Sequence, residues 1–300
     1  MGKVHLKRGI NFGENGKEQV SQRLTNRWFI CCKGRGFELM KTNTLLFIID
    51  MQNDFCRPDG ALFVPGADRD TARLGKFFIH SYSEKIDHII MTQDQHQVID
   101  ISHPAYWEDS TGRSPSPFTL IHARDVTEGT WIPRFNRGKA LDYLMKLEKQ
   151  GEFQHVIWPE HCILGSSGAA IANEIMDPVR LWARKGRYFQ VVTKGTHPLT
   201  EHFGALKAQV SIEGSPETQL NTSLMKTLQQ YDTLLIAGEA RSHCVASTIK
   251  QMMEIDGLAR KLMILEDCMS DIAGFETQAL PIYETAERRG ARFILSTEWE

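Results

Sequence analysis

The chain has 300 residues, with 35 Lys+Arg against 37 Asp+Glu for a net charge of −2, and 41% of its residues in the set AVILMFWYC. That composition fits a globular protein of one large or two small domains and excludes a disordered chain, a collagen or a coiled coil. It leaves no surplus charge to draw nucleic acid or anionic lipid, and no apolar run approaches the roughly 18–20 residues of a membrane span.

In chain order, residues 1–39 hold many glycines and charges without a sustained period and read as a loose N-terminal arm. One domain is expected over 40–300. The N-terminus has no continuous apolar stretch of the secretory kind, and Leu6 stands where a myristoylation signal wants Ser or Thr, so a soluble, cytoplasmic protein is expected. From residue 44 short apolar runs alternate with helical patterns. Strands are predicted at 44–50, 87–92, 154–158, 188–193, 233–237, 261–265 and 292–295, with helices near 67–84, 138–150, 166–176, 219–230, 244–256 and 275–289. This spacing predicts βαβ units: an α/β fold with a doubly wound, mostly parallel sheet covered by helices on both faces. Residues 104–137 interrupt the alternation. They carry four prolines with Trp107, Phe118 and Trp131 between them, and read as a lid or interface insertion.

In an open parallel sheet, ligands sit beyond the carboxyl ends of the strands. The predicted strand ends deliver Asp50, then Asp94 and His96, then His161, then Lys194, and finally a Gly238–Cys244 turn that opens a helix. Cys244 at a helix start is expected to have its thiol pKa lowered by the helix amides and dipole, which would also hold a developing oxyanion. A buried, inert thiol is the plainer alternative, since six scattered cysteines without a CxxC pair are mostly small hydrophobes. Asp50, ending an apolar strand, reads either as a turn carboxylate or as a partly desolvated general base, with Asp54 the better helix cap. Lys194 reads as a solvated strand end or as the cation that steadies both groups. Asp94, His96 and His161 have the donor types of an open two-His, one-carboxylate site that suits Zn, Fe or Mn. His103 is a further ligand candidate that, taken alone, reads better as a packing histidine. No role is assigned to His197, His202 or His243. The Gly165–Gly168 turn is not read as a phosphate cradle.

These segments resemble a known family. From about Met40 to Phe293 the chain is similar to the isochorismatase-like cysteine hydrolases, and within them to nicotinamidases (pyrazinamidases). The resemblance rests on Asp50-Met-Gln-Asn-Asp-Phe-Cys56, Asp94-Gln-His96, Trp158-Pro-Glu-His161-Cys162, Lys194-Gly195 and Gly238-Glu-Ala-Arg-Ser-His-Cys244-Val. It implies a three-layer isochorismatase-like fold, an Asp50–Lys194–Cys244 triad, and a cis peptide between Glu239 and Ala240. It further implies an oxyanion hole from the amides of Ala240 and Cys244, one divalent metal (Zn, Fe or Mn) on Asp94, His96 and His161, and Phe55 and Trp158 against a pyridine ring. The implied substrate is a small amide, nicotinamide first, cleaved to nicotinate and ammonia. No nucleic acid or membrane partner is expected, and a homo-oligomer remains open.

The chain departs from the family where an aromatic-Ser-Ala/Gly-Phe stretch usually follows the Lys: here Glu201-His-Phe-Gly-Ala-Leu206 stands. That change borders the expected pocket, so a ureido or carbamoyl amide is the alternative substrate. An isochorismatase needs neither thiol nor metal. A papain-type protease needs a base His downstream of its Cys, and none follows His243. A non-enzymatic binding module would not need the full set of site residues.

Overall fold

The computed structural model describes residues 28–32, 37–41, 43–151 and 153–299. Trp28–Cys32 and Phe37–Lys41 pair antiparallel as a hairpin, with Trp28 opposite Lys41. The rest of the arm expected over 1–39 lies outside the described residues.

The body, residues 43–299, is built on six parallel strands. These are β1 (Thr44–Ile49), β2 (His88–Asp94), β3 (Phe189–Lys194), β4 (Thr233–Gly238), β5 (Leu262–Leu265) and β6 (Arg292–Ile294). Their order across the sheet is β6-β5-β4-β1-β2-β3, every pairing parallel. The central strands are apolar on both faces: all of β1 is buried, as is β4 after Thr233. That is the pattern of strands sandwiched between helical layers. Helix Asn173–Ala183 packs on the Ala67–Ile79 segment, and Ala246–Met253 packs on Leu280–Arg288. Right-handed crossovers running in opposite directions from β1 put these pairs on opposite faces, giving the three-layer α/β architecture expected.

The order reverses between β1 and β4, so their carboxyl ends open a crevice at a topological switch point. Register aligns the crevice: Ile49 sits opposite Gly238, and Asp94 opposite Lys194.

Two predicted elements differ. Residues 154–158 do not join the sheet; they lie along the insertion, with Leu120 bridging Val156, Ile157 donating to Thr119 O at 2.9 Å and Trp158 donating to Ser102 O at 2.8 Å. Ile157 is drawn to a second, satellite core with Ile101, Tyr106, Trp107, Ile121, Val126, Tyr143 and Leu144, while Val156 and Trp158 join the main core. The helix expected over 166–176 begins at Asn173 instead. Residues 165–172 are needed as a turn against Asp54, whose amide donates to Gly168 O at 3.0 Å. A Cβ on Gly168 would stand 2.1 Å from Asp54 Oδ2, so only glycine permits this approach.

Residues 104–137 are packed rather than loose. Trp107–Glu108 pairs with Ile132–Pro133, helix Ala123–Glu128 lies against helix Arg137–Gln150, and Trp107 is fully buried with its indole N–H on Ile101 O at 2.6 Å.

Candidate active site

Asp50 is the first residue past β1. It is fully buried and holds φ 44°, a left-handed conformation that costs a non-glycine residue about 1–2 kcal/mol. Such strain persists where the surroundings over-determine it, commonly at functional sites. Here Thr92 of β2 clasps it from both sides: the Asp50 amide donates to Thr92 Oγ1 at 2.9 Å, and Thr92 Oγ1 donates to Asp50 Oδ1 at 2.5 Å. Asp50 is thus no helix cap. Nor is Asp54, whose carboxylate instead accepts from Ala61 at 3.2 Å and Cys162 at 2.6 Å, tying the 161–162 segment to the helix Asn53–Cys56.

Lys194, the last residue of β3, is 2% exposed. Its ammonium lies 2.8 Å from Asp50 Oδ2 and 3.2 Å from Asp94 Oδ1, donates to His202 O at 2.8 Å, and stands 3.8 Å from Cys244 Sγ. One buried cation therefore meets two carboxylates and a thiol. Gly195 makes this possible: at φ 77° it turns the chain so closely over Asp94 that a Cβ would stand 2.2 Å from Oδ1.

Cys244 lies in a π-helical turn, Arg241–Val245, that leads into helix Ala246–Met253. Val245 N reaches back to Ala240 O at 3.1 Å, the wide turn often found at functional sites. The peptide between Glu239 and Ala240 is cis. The amides of Glu239, Arg241, His243 and Val245 go to backbone carbonyls. The expected lowering of the thiol pKa is corrected: burial pushes the Cys244 thiol well up, with Asp50 and Asp94 adding to it, and the pull of Lys194 does not compensate. Desolvation of a fully buried sulfur outweighs the turn amides and one ammonium. Burial also raises Asp50, against the opposing pull of Lys194. At rest the pair is a protonated thiol beside a carboxylate of increased basicity, with Asp50, Asp94 and Cys244 each offering an atom within 4.8 Å of the others.

The second cluster adjoins the first through Asp94. One ligand atom from each of Asp94, His96 and His161 lies within 4.8 Å of the others, all three residues being buried. Asp94 Oδ2 is 3.1 Å from His96 Nε2. Their supports orient them as supporting groups orient metal-binding imidazoles: His96 Nδ1 is 3.1 Å from Asp100 Oδ2, and His161 Nδ1 is 2.8 Å from Pro159 O, which turns Nε2 of His161 free. The chain delivers His161 from a loop, through the Ile163 bridge to His96, and not from a strand end. The ring of His103 completes a trio, 5.0 Å from His96 and 5.3 Å from His161. Its buried nitrogens have no hydrogen-bond partner among the described residues, and burial pushes its pKa down to about 4. Burial disfavours charge on His96, yet Asp94 and Asp100 outweigh it and hold that imidazole well above its ordinary pKa. A cation placed there would meet the same negative potential. One carboxylate, two oriented imidazoles and an under-satisfied third fit a divalent transition metal.

A cavity joins the clusters, lined by Phe55, Trp158, Phe203, Asp94, His161, Ala240 and Cys244, with Glu201 and His243 also on its surface. Phe55 packs edge-on to His161 at 5.3 Å, and Trp158 edge-on to both His243 at 5.2 Å and Phe118 of the insertion at 5.9 Å. The three unassigned histidines now have places. His243 bonds Ser242 Oγ at 2.9 Å and is held neutral by burial, which pushes its pKa down to about 3. His202 lends its carbonyl to Lys194, and His197 Nδ1 accepts from Leu199.

Sequence reasoning missed Glu201 and Phe203. Glu201 is 4% exposed, one carboxylate oxygen accepts from His202 N at 3.3 Å, the other has no partner among the described residues, and burial pushes its pKa up to about 7. The available signal was the departing stretch 201–206 itself: a glutamate amid apolar residues just after a strand-end lysine.

No protein-family profile matches the chain. Nicotinamidase of Saccharomyces cerevisiae is 25% identical over 217 residues, 72% of this chain and 82% of that protein. Among solved structures, the yeast nicotinamidase bound to the inhibitor nicotinaldehyde superposes with a TM-score of 0.58 at 21% identity, covering 84% of this chain and 99% of that one. A nicotinamidase/pyrazinamidase of Acinetobacter baumanii gives 0.58 at 24% identity, over 86% and 98%. The pyrazinamidase of Pyrococcus horikoshii in complex with zinc gives 0.51 at 19%, over 84% and 99%.

Proposed function

We propose that this chain, an isochorismatase-like cysteine hydrolase in motifs and fold, is a nicotinamidase-type amidohydrolase that converts nicotinamide to nicotinate and ammonia. The observation that carries the reading is the meeting of Asp50, Lys194 and Cys244 in one buried crevice that opens on an aromatic-lined cavity. The sequence similarity to the yeast nicotinamidase supports the bond class.

In this reading Cys244 is the nucleophile. Its thiol rests protonated, so attack on the carboxamide carbon requires a base, and Asp50, made more basic by burial, takes the proton as the C–S bond forms. Lys194 offsets the negative charge that Asp50 and Cys244 share. The amides of Ala240 and Cys244 form the oxyanion hole for the tetrahedral oxygen. Asp50 then returns the proton to the amide nitrogen, the C–N bond breaks and ammonia leaves. Water cleaves the remaining thioester, releasing the acid and restoring the thiol. Phe55 and Trp158 hold the ring. Asp94, His96 and His161, with His103 as a further donor, would hold a divalent metal, zinc first and iron or manganese otherwise. Bound there, it supplies a Lewis acid for a ring nitrogen or water. The reading places the protein in the cytoplasm, in pyridine-nucleotide salvage.

A second reading keeps the machinery and changes the amide. Glu201 brings an unpartnered carboxyl oxygen to the cavity, which would suit the extra N–H groups of a ureido or carbamoyl compound. Ammonia release from nicotinamide, pyrazinamide, ureidoacrylate and N-carbamoyl compounds, with and without chelator, separates the two. Highest kcat/KM on nicotinamide supports the first reading; a preference for a ureido compound replaces it with the second.

A further inference from the structure

Glu239 is fully buried directly before the turn that carries Ala240 and Cys244, and the mechanism above does not use it. Its Oε1 has no hydrogen-bond partner among the described residues, and the carboxyl of Asp70, itself 5% exposed on helix Ala67–Ala72, acts on it. Ser270 stands between them. The Ser270 amide donates to Glu239 Oε2 at 3.1 Å, and its hydroxyl donates to Asp70 Oδ2. The Ser270 carbonyl accepts from Arg241 N at 2.8 Å, so the backbone of one residue grips both the Glu239 side chain and the amide of Arg241. Gly66 leaves the space for that hydroxyl: a Cβ there would lie 2.5 Å from Ser270 Oγ.

The charges around the pair are unequal. Asp70 Oδ1 is 3.2 Å from Arg73, and Arg69 adds its field. Arg73 is shared with Asp267 at 3.5 Å. On the Glu239 side stand Asp271, engaged by Arg241 at 2.9 Å, and the buried thiol of Cys56. Among the described residues no Lys, Arg or His pairs with Glu239. Two carboxylates cannot hydrogen-bond to each other; one must carry a proton. Arg73 and Arg69 act on Asp70, and Arg241 is engaged by Asp271, so the proton belongs to Glu239.

We infer that Glu239 is a positioning residue: as a neutral acid it donates a hydrogen bond to Asp70 and, through Ser270, holds the turn that presents the amides of Ala240 and Cys244. The inference rests on the proposed function for the role of those amides, but not for the proton bridge. Burial, with Asp70 next, holds Glu239 well above the ordinary 4.5. The sign follows from linkage: a carboxyl that stays protonated in the fold contributes stability fully present below about pH 4.5 and lost as pH rises toward and through its folded value.

The test uses the full chain and the variants Glu239→Gln, Glu239→Ala and Asp70→Asn. At neutral pH the infrared difference between wild type and Glu239→Gln is expected to contain a protonated-carboxyl C=O band. The melting temperature of the wild type should fall from about pH 6 to about pH 9 more steeply than that of Glu239→Gln, whose amide donates at every pH. With the best amide of the panel, Glu239→Ala should lose about tenfold in kcat with KM within about twofold, and Glu239→Gln should recover most of it. No acid band in the difference, or equal pH slopes, overturns the inference. If no amide is hydrolysed, the proposed function fails while the infrared and melting comparisons still decide the bridge. If Glu239→Ala does not fold, Asp70→Asn takes its place in the kinetic comparison, with loss of kcat again expected.

Discussion

The floor of the crevice and its rim are held by different means. Asp50, Lys194 and Cys244 stand at or just beyond the ends of β1, β3 and β4, where a buried parallel ladder sets their positions. Trp158 and His161 come from a loop outside the sheet, fastened to Ser102 and Asp54 and preceded by Ile157 of the satellite core. The proposed chemistry, which tolerates little displacement, sits on strand ends, while the proposed substrate contacts and part of the proposed ion pocket rest on a region that can be loosened without unfolding the sheet.

Substitutions on the floor should remove function outright. Cys244→Ala is expected to lower kcat by at least about 10⁴-fold with an unchanged melting temperature, since the members of such a unit do not substitute for one another. Residual ammonia release near wild type would break the mechanism. Lys194→Met should abolish turnover too and also weaken the fold: it leaves Asp50 and Asp94 facing each other without the cation between them, a cost of about 3–5 kcal/mol in a denaturant titration.

The rim should respond locally. Trp107→Ala empties the centre of the satellite core and is expected to cost about 3–5 kcal/mol there. Hydrogen exchange should accelerate across 101–157 while β1 and β4 keep their protection; uniform acceleration would erase the distinction between the two regions. A milder lever is pH. His155 is buried beside Tyr143 and Trp107, and burial pushes its pKa down to about 4 from 6.5. Its neutral form is the folded form, so the rim's stability is fully present above about pH 6.5 and falls as pH drops toward 4, by on the order of 2–3 kcal/mol. His155→Gln should flatten that dependence in exchange measurements of 101–157. Asp100→Asn tests the link between the regions: it spares every proposed ligand yet should weaken metal retention about 10- to 100-fold in chelator competition.

Much of this was legible in the chain. Alternating apolar runs and helical periods are local signals, and they located all six sheet strands and, from the strand ends, Asp50, Lys194, Cys244 and the Asp94–His96 pair, which the fold brings together. The run 154–158 misled because a buried apolar segment reads alike whether it joins the sheet or lies beside it, packed between two cores. The helix start at Asn173 was equally hidden, for the contact of Gly168 with Asp54 joins residues far apart in sequence.

What the sequence by itself determined was the periodicity of the elements and the chemistry offered at their ends, because both depend on neighbours along the chain. Only the tertiary structure decided the protonation of that chemistry. The Cys244 thiol is raised rather than lowered, Glu201 and Glu239 become weak acids, and His103 and His155 stay neutral. Desolvation depends on how much water the whole fold removes and on which charges remain nearby, and neither is a local property of the chain.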